Sequence, residues 1–338
     1  MTLDQAVALS LLADLPRPGL TDRLAADDPE LLDRVSPHLV AARAARLQAA
    51  EQGISVVAWN DEAFPSALRT TVDCPPALWY RGSLDALHHP PCIAIVGSRA
   101  ATAVALEAAA RMASDLAALG VTVVSGLARG VDSAAHRGAL ASGRTVAVLG
   151  SGVDRIYPAE HRHLAGEIAA TGAVISEYPP GTPPLQFHFP MRNRLISGLA
   201  LGVVVIEAAE DSGSLITASC ALEQGRDVMA VPGNVLSGRN RGGHALIRDG
   251  AAIVESAADV AATLGLDLIR VKSGRDAAEE SAGTADPILR AMTAGEPYDV
   301  DALGALSGLD AARLLPRLAG LELRGLVRRT SGGRFVRP

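Results

Sequence analysis

The sequence predicts an α/β protein. It has a doubly wound, mostly parallel sheet, preceded by a small helical domain and followed by a winged helix-turn-helix domain. Three observations predict this class. Short apolar, β-branched runs fall at 93–96, 121–124, 145–149, 173–175, 203–206 and 228–231. Ala- and Leu-rich stretches of helical length alternate with most of them, several closed by glycine (Gly120, Gly143, Gly172, Gly225). Strands that are apolar on both faces and alternate with helices belong to a parallel sheet covered on both sides. The third observation is bulk. The chain has 338 residues, 49% hydrophobic and 20% charged, which is enough for two or three domains with true cores and too little charge for disorder.

Each element follows in order. Within 1–80, Leu3, Val7, Leu11 and Leu12, then Leu31, Leu32 and Val35, recur at helical spacing before an Ala/Arg-rich stretch at 41–50. Two or three short helices ending near Gly53 fit that pattern. Pro65, Pro75 and Pro76 then lead an extended passage into Leu78, Trp79 and Tyr80. The sheet domain is expected over 81–271. Residues 272–285 are polar, small and aperiodic, as a linker is. Over 286–338 the pattern predicts helices at 288–292, 300–307 and 310–324, with Asp310 as the last helix's N-cap. Pro316 falls inside that helix and predicts a kink or a later start. Segments 326–329 and 334–337 flank Ser331, Gly332 and Gly333 as a hairpin. Arg313, Arg317, Arg324, Arg328, Arg329, Arg334 and Arg337 against Glu322 alone make 312–338 locally +6. That charge suits a solvated basic face as well as nucleic-acid or protein contact.

The whole chain carries a formal charge of −6, so any nucleic-acid binding must rest on local patches. Cys74, Cys92 and Cys220 lack CxxC or Cys/His spacing, which implies neither a disulfide framework nor a structural metal site. There is no charged segment leading into an apolar one at the N-terminus, and no apolar run of the ~18 residues that span a bilayer. A soluble, cytoplasmic protein with no membrane contact is expected.

Ligands of an open parallel sheet bind beyond the carboxyl ends of its strands, so each strand-to-helix turn is a candidate site. The first, Gly97-Ser98-Arg99-Ala100-Ala101-Thr102, has neither the G-x-G-x-x-G of a dinucleotide site nor the G-K-[ST] of a P-loop. Its glycine, hydroxyls and guanidinium suit an anion at a helix N-terminus, or simply a capped turn. The second holds Gly126, Arg129, Gly130, Asp132 and His136. Asp132 and His136 share one helical face and suit either an acid–base pair or, the favoured alternative, a helix N-cap and its neighbour. The third contains Asp154, Arg155, Tyr157 and Arg162, and the fourth Tyr178, Phe187, Phe189, Arg192, Asn193 and Arg194. Tyr157, Tyr178, Phe187 and Phe189 are four of only ten aromatic residues. Aromatic faces beside guanidinium groups meet the needs of single-stranded nucleic acid, whose bases stack and whose phosphates require cations. Alternatively, Phe187 and Phe189 pin a proline-rich loop to the sheet. In the fifth turn Ser212, Gly213 and Ser214 open a helix whose N–H groups suit another phosphate, or equally an ordinary capped helix start. Several such turns on one sheet edge suit a ligand carrying several phosphates along a path.

These residues resemble a known family. The run Ile93-Ala94-Ile95-Val96-Gly97-Ser98-Arg99 is similar to DNA processing protein A, also called DprA or Smf. So are Ser125-Gly126-Leu127-Ala128, Gly130-Val131-Asp132, Ala135-His136 and Ser176-Glu177-Tyr178. Phe189-Pro190, Arg192-Asn193-Arg194, the run Ser212 to Ala218 and Ala230-Val231-Pro232-Gly233 complete the set in the right order over 80–260. The resemblance implies an extended Rossmann domain, a homodimer and a basic pocket for single-stranded DNA. It implies no catalysis and no cofactor or metal. It also implies protection of incoming single-stranded DNA in natural transformation and help in loading the recombinase RecA. Carried over by motif, the backbones of Gly97, Ser98 and Gly126 contact phosphates, and Arg99, Arg192 and Arg194 supply charge. Phe189 stacks on or positions a base, Asn193 holds the loop, and Arg162 follows the Tyr-Pro turn where relatives carry a basic residue. Thr102, Arg129, Ser212, Gly213 and Ser214 join the candidates from their turns. One departure stands out: Gln186 occupies the stretch before Phe-Pro where many relatives have lysine, so affinity is lower here or charge comes from Arg99 and Arg162.

Two other functions fit parts of the sequence. One is a nucleotide-binding or nucleotide-hydrolysing enzyme with Glu207 or Glu177 as base. The other is a regulator that binds duplex DNA through the winged helix.

Overall fold

Strands form where the apolar runs lie and along the extended passage into Leu78, Trp79 and Tyr80, and three short ones, at 55–58, 252–253 and 297–298, form where the pattern did not announce them. The computed structural model describes residues 1–12, 19–26, 28–88, 91–266, 286–293, 295–323, 326–330 and 333–337. The expected linker 272–285 and the turn residues 331–332 lie outside the described residues. The described part of the chain opens with α1 (Leu3–Leu11), α2 (Leu20–Ala25), α3 (Pro29–Val35) and α4 (Leu39–Glu51). Next come β1 (Ser55–Ala58), α5 (Ser66–Arg69) and β2 (Ala77–Gly82). The alternating part holds β3 (Cys92–Val96), α6 (Ala103–Ala118), β4 (Thr122–Ser125), α7 (Val131–Leu140), β5 (Thr145–Val148), α8 (Arg162–Thr171) and β6 (Ala173–Ser176). It continues through α9 (His188–Leu199), β7 (Gly202–Val205), α10 (Gly213–Glu223), β8 (Asp227–Ala230), α11 (Arg241–Arg248), β9 (Ala252–Ile253) and α12 (Ala257–Thr263).

The strands make one sheet in the order β1-β2-β6-β5-β4-β3-β7-β8-β9. β2 runs antiparallel to both its neighbours, and all other pairs are parallel. Side chains alternate between faces because the strand period is two. Ile93 and Ile95 of β3 pack with Ala109, Met112 and Leu116 of α6 and with Val131 and Ala135 of α7. Ala94 and Val96 pack on the opposite face with Leu195, Ile196 and Leu199 of α9 and with Ala218 and Ala221 of α10.

The N-terminal helices are part of this body. Val7, Leu9, Leu20, Leu31 and Val35 share a core with Trp79 of β2, Ala147, Val174 and the α8 residues Leu164 and Ile168. The compact unit therefore runs Met1–Arg270, and β2 straddles the boundary expected at 80/81. The reason is Trp79, which is fully buried and gains its burial only by joining the sheet.

A second compact unit spans Val271–Pro338. Its described elements are α13 (Pro287–Ala291), β10 (Pro297–Tyr298), α14 (Val300–Ser307), α15 (Ala311–Leu323), β11 (Arg328–Arg329) and β12 (Phe335–Val336). The strands form a small sheet in the order β10-β12-β11, over a core of Ile288, Leu289, Leu303, Leu314, Leu318 and Phe335. This is the order of a winged helix-turn-helix, with β10 too short to read from its sequence. Asp310 Oδ1 accepts the Arg313 N–H at 2.9 Å, and α15 runs through Pro316 without a later start.

Candidate nucleic-acid interface

A doubly wound sheet opens a crevice where adjacent strands send their helices to opposite faces. Here that point lies between β3, followed by α6, and β7, followed by α10. A cavity of about 370 Å³ occupies it. Gly97, Ser98 and Arg99 line it from the β3 loop, and Asp211, Ser212, Gly213 and Ser214 from the β7 loop. Phe189, Pro190, Arg192 and Asn193 of α9 close one side, with Asp132 of α7.

The loops are locked together before any ligand arrives. The Ser98 N–H donates to Glu207 O at 2.7 Å, and the Glu207 carboxylate accepts the Thr102 N–H at 3.1 Å and the Thr102 hydroxyl at 2.7 Å. Thr102 also caps α6, so it is a structural residue and does not line the cavity. Gly130, at φ 77, is required because a β-carbon there would strike Ser98 O and the Arg99 backbone. Asp132 is not the N-cap of α7, a position held by Gly130. It reaches back to accept the N–H groups of Gly126 at 3.2 Å and Ala128 at 3.3 Å. Burial pushes its carboxyl above the usual carboxylate range, while Arg192 and these two amides pull against that. His136 is fully buried against the Thr145 hydroxyl at 2.7 Å, and burial drops its pKa to about 3. The two do not form an acid–base pair facing solvent.

Two of the three amides expected to meet phosphate are thus donated inside the protein, those of Ser98 and Gly126. The start of α10 offers further donors. The Ser212 hydroxyl accepts the Ser214 N–H, and Asn193 Nδ2 ties α9 to Gly213 O at 3.2 Å. The Gly213 N–H has no acceptor among the described residues and points from a helix N-terminus, where anions are favoured.

The arginines divide into three groups. Arg99 is exposed, and its guanidinium carbon lies 5.5 Å from the centre of the Phe189 ring at the cavity mouth. Arg192 is buried in the cavity floor beneath Gly126, donating to Val148 O. Burial lowers its pKa to about 10, which leaves it cationic at neutral pH. Arg194 and Arg129 do not supply cavity charge. Arg194 is buried between Asp73 and Glu177, each at 2.7 Å, and Arg129 forms a two-point pair with Glu160 at 2.7 and 2.8 Å. Neither lines the cavity, and nor does Arg162, exposed at the start of α8. With Asp132 and Asp211 opposite Arg99 and Arg192, the lining carries no net formal charge. Arg239, outside the predicted set, donates to Ala100 O at 3.0 Å and brings a further exposed cation beside Arg99. Its signal was the cluster of basic residues following Pro232-Gly233.

Of the aromatic residues only Phe189 lines the cavity, and the others pack around it and around His188. Tyr157 and Phe189 lie 5.4 Å apart, Tyr178 stacks on His188 at 4.0 Å, and Phe187 packs edge-on to His188 at 4.5 Å. Phe187 does not anchor the loop, because most of its ring is in solvent.

The larger unit is a Rossmann-type doubly wound α/β body whose switch-point crevice presents a helix N-terminus and an aromatic ring with a guanidinium over it, and the smaller unit has winged-helix order. The family model for DNA recombination-mediator protein A matches residues 55–265, and that for the DprA winged helix domain matches 273–333. Protein Smf of Escherichia coli is 40% identical over 288 residues, which is 82% of this chain and 76% of that one. The X-ray structure of DNA processing protein A from Streptococcus pneumoniae superposes with a TM-score of 0.63 at 37% identity, covering 77% of this chain and 93% of that one. That of Helicobacter pylori, described for its single-stranded DNA binding mode, gives 0.58 at 29% identity over 64% and 97%. This chain belongs to the DNA recombination-mediator protein A family, also known as DprA or Smf. Among the described residues, no helix is long and apolar enough to cross a membrane.

Proposed function

We propose that this protein is a non-enzymatic, cytoplasmic mediator of recombination. It holds single-stranded DNA in the β3/β7 crevice without sequence preference, protects incoming strands during natural transformation, helps load RecA and acts as a homodimer. The observation that carries the reading is Arg99 held over Phe189 at a cavity whose opposite wall is the open N-terminus of α10. A base stacks on such a ring while its phosphates meet the guanidinium and the N–H groups. The single-stranded DNA bound by the Helicobacter pylori relative supports the ligand class. The nucleotide-enzyme alternative has less support, since Glu207 is held by Thr102 and Glu177 by Arg194, which leaves neither placed as a base. The mediator role is tested by following RecA assembly on DNA precoated with a single-strand-binding protein. Faster nucleation in the presence of this chain is expected. Normal DNA binding with no acceleration would remove the loading role.

A further inference from the structure

Only ten aromatic residues occur in the chain, and only Tyr157 and Phe187 leave large parts of their rings in solvent, 46% and 64% exposed. Both adjoin the segment that carries the cavity-lining Phe189, Phe187 as the N-cap residue of α9 two positions before it. Tyr157 lies 5.4 Å from Phe189, the ring that carries Arg99. Phe187 is fixed edge-on to His188, itself stacked on Tyr178 and bonded to Gly150 O at 3.1 Å. Pro190 and Met191 on the first turns of α9 are exposed beside it, and Pro190 also lines the cavity. Exposed aromatic rings cost hydration, and in a chain so poor in them two beside the residues around Phe189 are weakly explained by chance. The rings are presented by fixed neighbours rather than by loose loop ends, which lowers the entropy lost when a planar ligand settles on them.

We propose that Tyr157 and Phe187 are two further stacking platforms for unpaired nucleobases beside Phe189, so that the site takes a run of bases rather than one. The proposal rests on the single-stranded DNA reading above. Neither ring adds charge, so its contribution separates from phosphate binding by its lack of salt dependence.

The test uses the full-length protein, fluorescence anisotropy, labelled oligo-dT and the same oligomer carrying abasic sugars. Tyr157→Ala and Phe187→Ala should each weaken oligo-dT binding about ten-fold, with the salt slope unchanged and abasic binding unaffected. Phe187→Trp should restore affinity, and its added emission should be quenched on binding. Ala variants that match the wild type, or that lose equal affinity for both oligomers, would overturn the proposal while leaving the DNA-binding function standing. A variant that changes self-association instead would assign the rings to a contact between copies and overturn it too. A wild-type protein that binds no single strand would remove the function itself.

Discussion

Arg194 joins two acids from distant parts of the chain, with Nε 2.7 Å from Asp73 and an Nη 2.7 Å from Glu177. The guanidinium and the Glu177 side chain are almost fully buried, at 7% and 4% exposure, while Asp73 keeps 29%. Arg194→Ala leaves the Glu177 carboxylate buried without that cation, a loss of about 3–5 kcal/mol. Asp73 rehydrates and adds at most about 1 kcal/mol. For a unit of this size each kcal/mol lowers the melting temperature by roughly 2–4 °C, so a fall of roughly 6–24 °C is expected. Differential scanning calorimetry gives the fall, and anisotropy on the folded variant should give unchanged oligo-dT affinity, because Arg194 does not line the cavity. The double change Arg194→Met, Glu177→Gln should recover most of the stability. A variant that melts within 2 °C of the wild type yet binds DNA ten-fold more weakly would refute this placement of Arg194.

Three further outcomes follow from the same geometry. Arg99→Ala should leave the melting temperature unchanged and flatten the log–log salt slope for oligo-dT by about 0.7, one phosphate contact, and an unchanged slope would take Arg99 out of the site. Gly130→Ala should cost about 2 kcal/mol or more in urea unfolding, because φ 77 and contact with Ser98 O leave no room for a methyl group, and a neutral result would contradict the loop packing. His136 titrates at about 3 when folded against an ordinary 6.5, so the unfolded chain binds the proton first. Its contribution is therefore complete above pH 6.5 and is lost as pH falls toward 3, by up to about 1.4 kcal/mol per unit. The stability difference between wild type and His136→Asn, followed by urea melts from pH 7 to 4, should shrink by that slope, and a flat difference would mean the imidazole is solvated.

The parallel strands were legible because β-branched, doubly buried runs are a local pattern. β1 and β9 were not, since residues 55–58 and 252–253 are short. The extended passage into Leu78, Trp79 and Tyr80 was read, but not its place in the sheet, because Trp79 acquires its meaning from the core it enters. The cavity loops could be named from glycines, serines and arginines at strand ends. Which arginine faces the ligand could not, because the deciding partners lie far away in sequence: Asp73 for Arg194, Glu160 for Arg129, Val148 for Arg192. Among the described residues Arg99 makes no ion pair, and the Phe189 ring beneath it offers no counter-charge. Thr102 and Ser98 looked like anion ligands, yet Glu207, itself suspected as a catalytic base, satisfies both.

The central claim, that unpaired DNA binds in the β3/β7 crevice, is tested most directly by anisotropy with labelled oligo-dT and a matched duplex across a salt series. It should be run on the full chain, its Arg99→Ala variant and the 1–271 truncation. Salt-sensitive binding that prefers the single strand, weakens in the Arg99 variant and survives the truncation is the predicted result. Preference for duplex that vanishes on truncation would move the function to the winged helix and contradict the account.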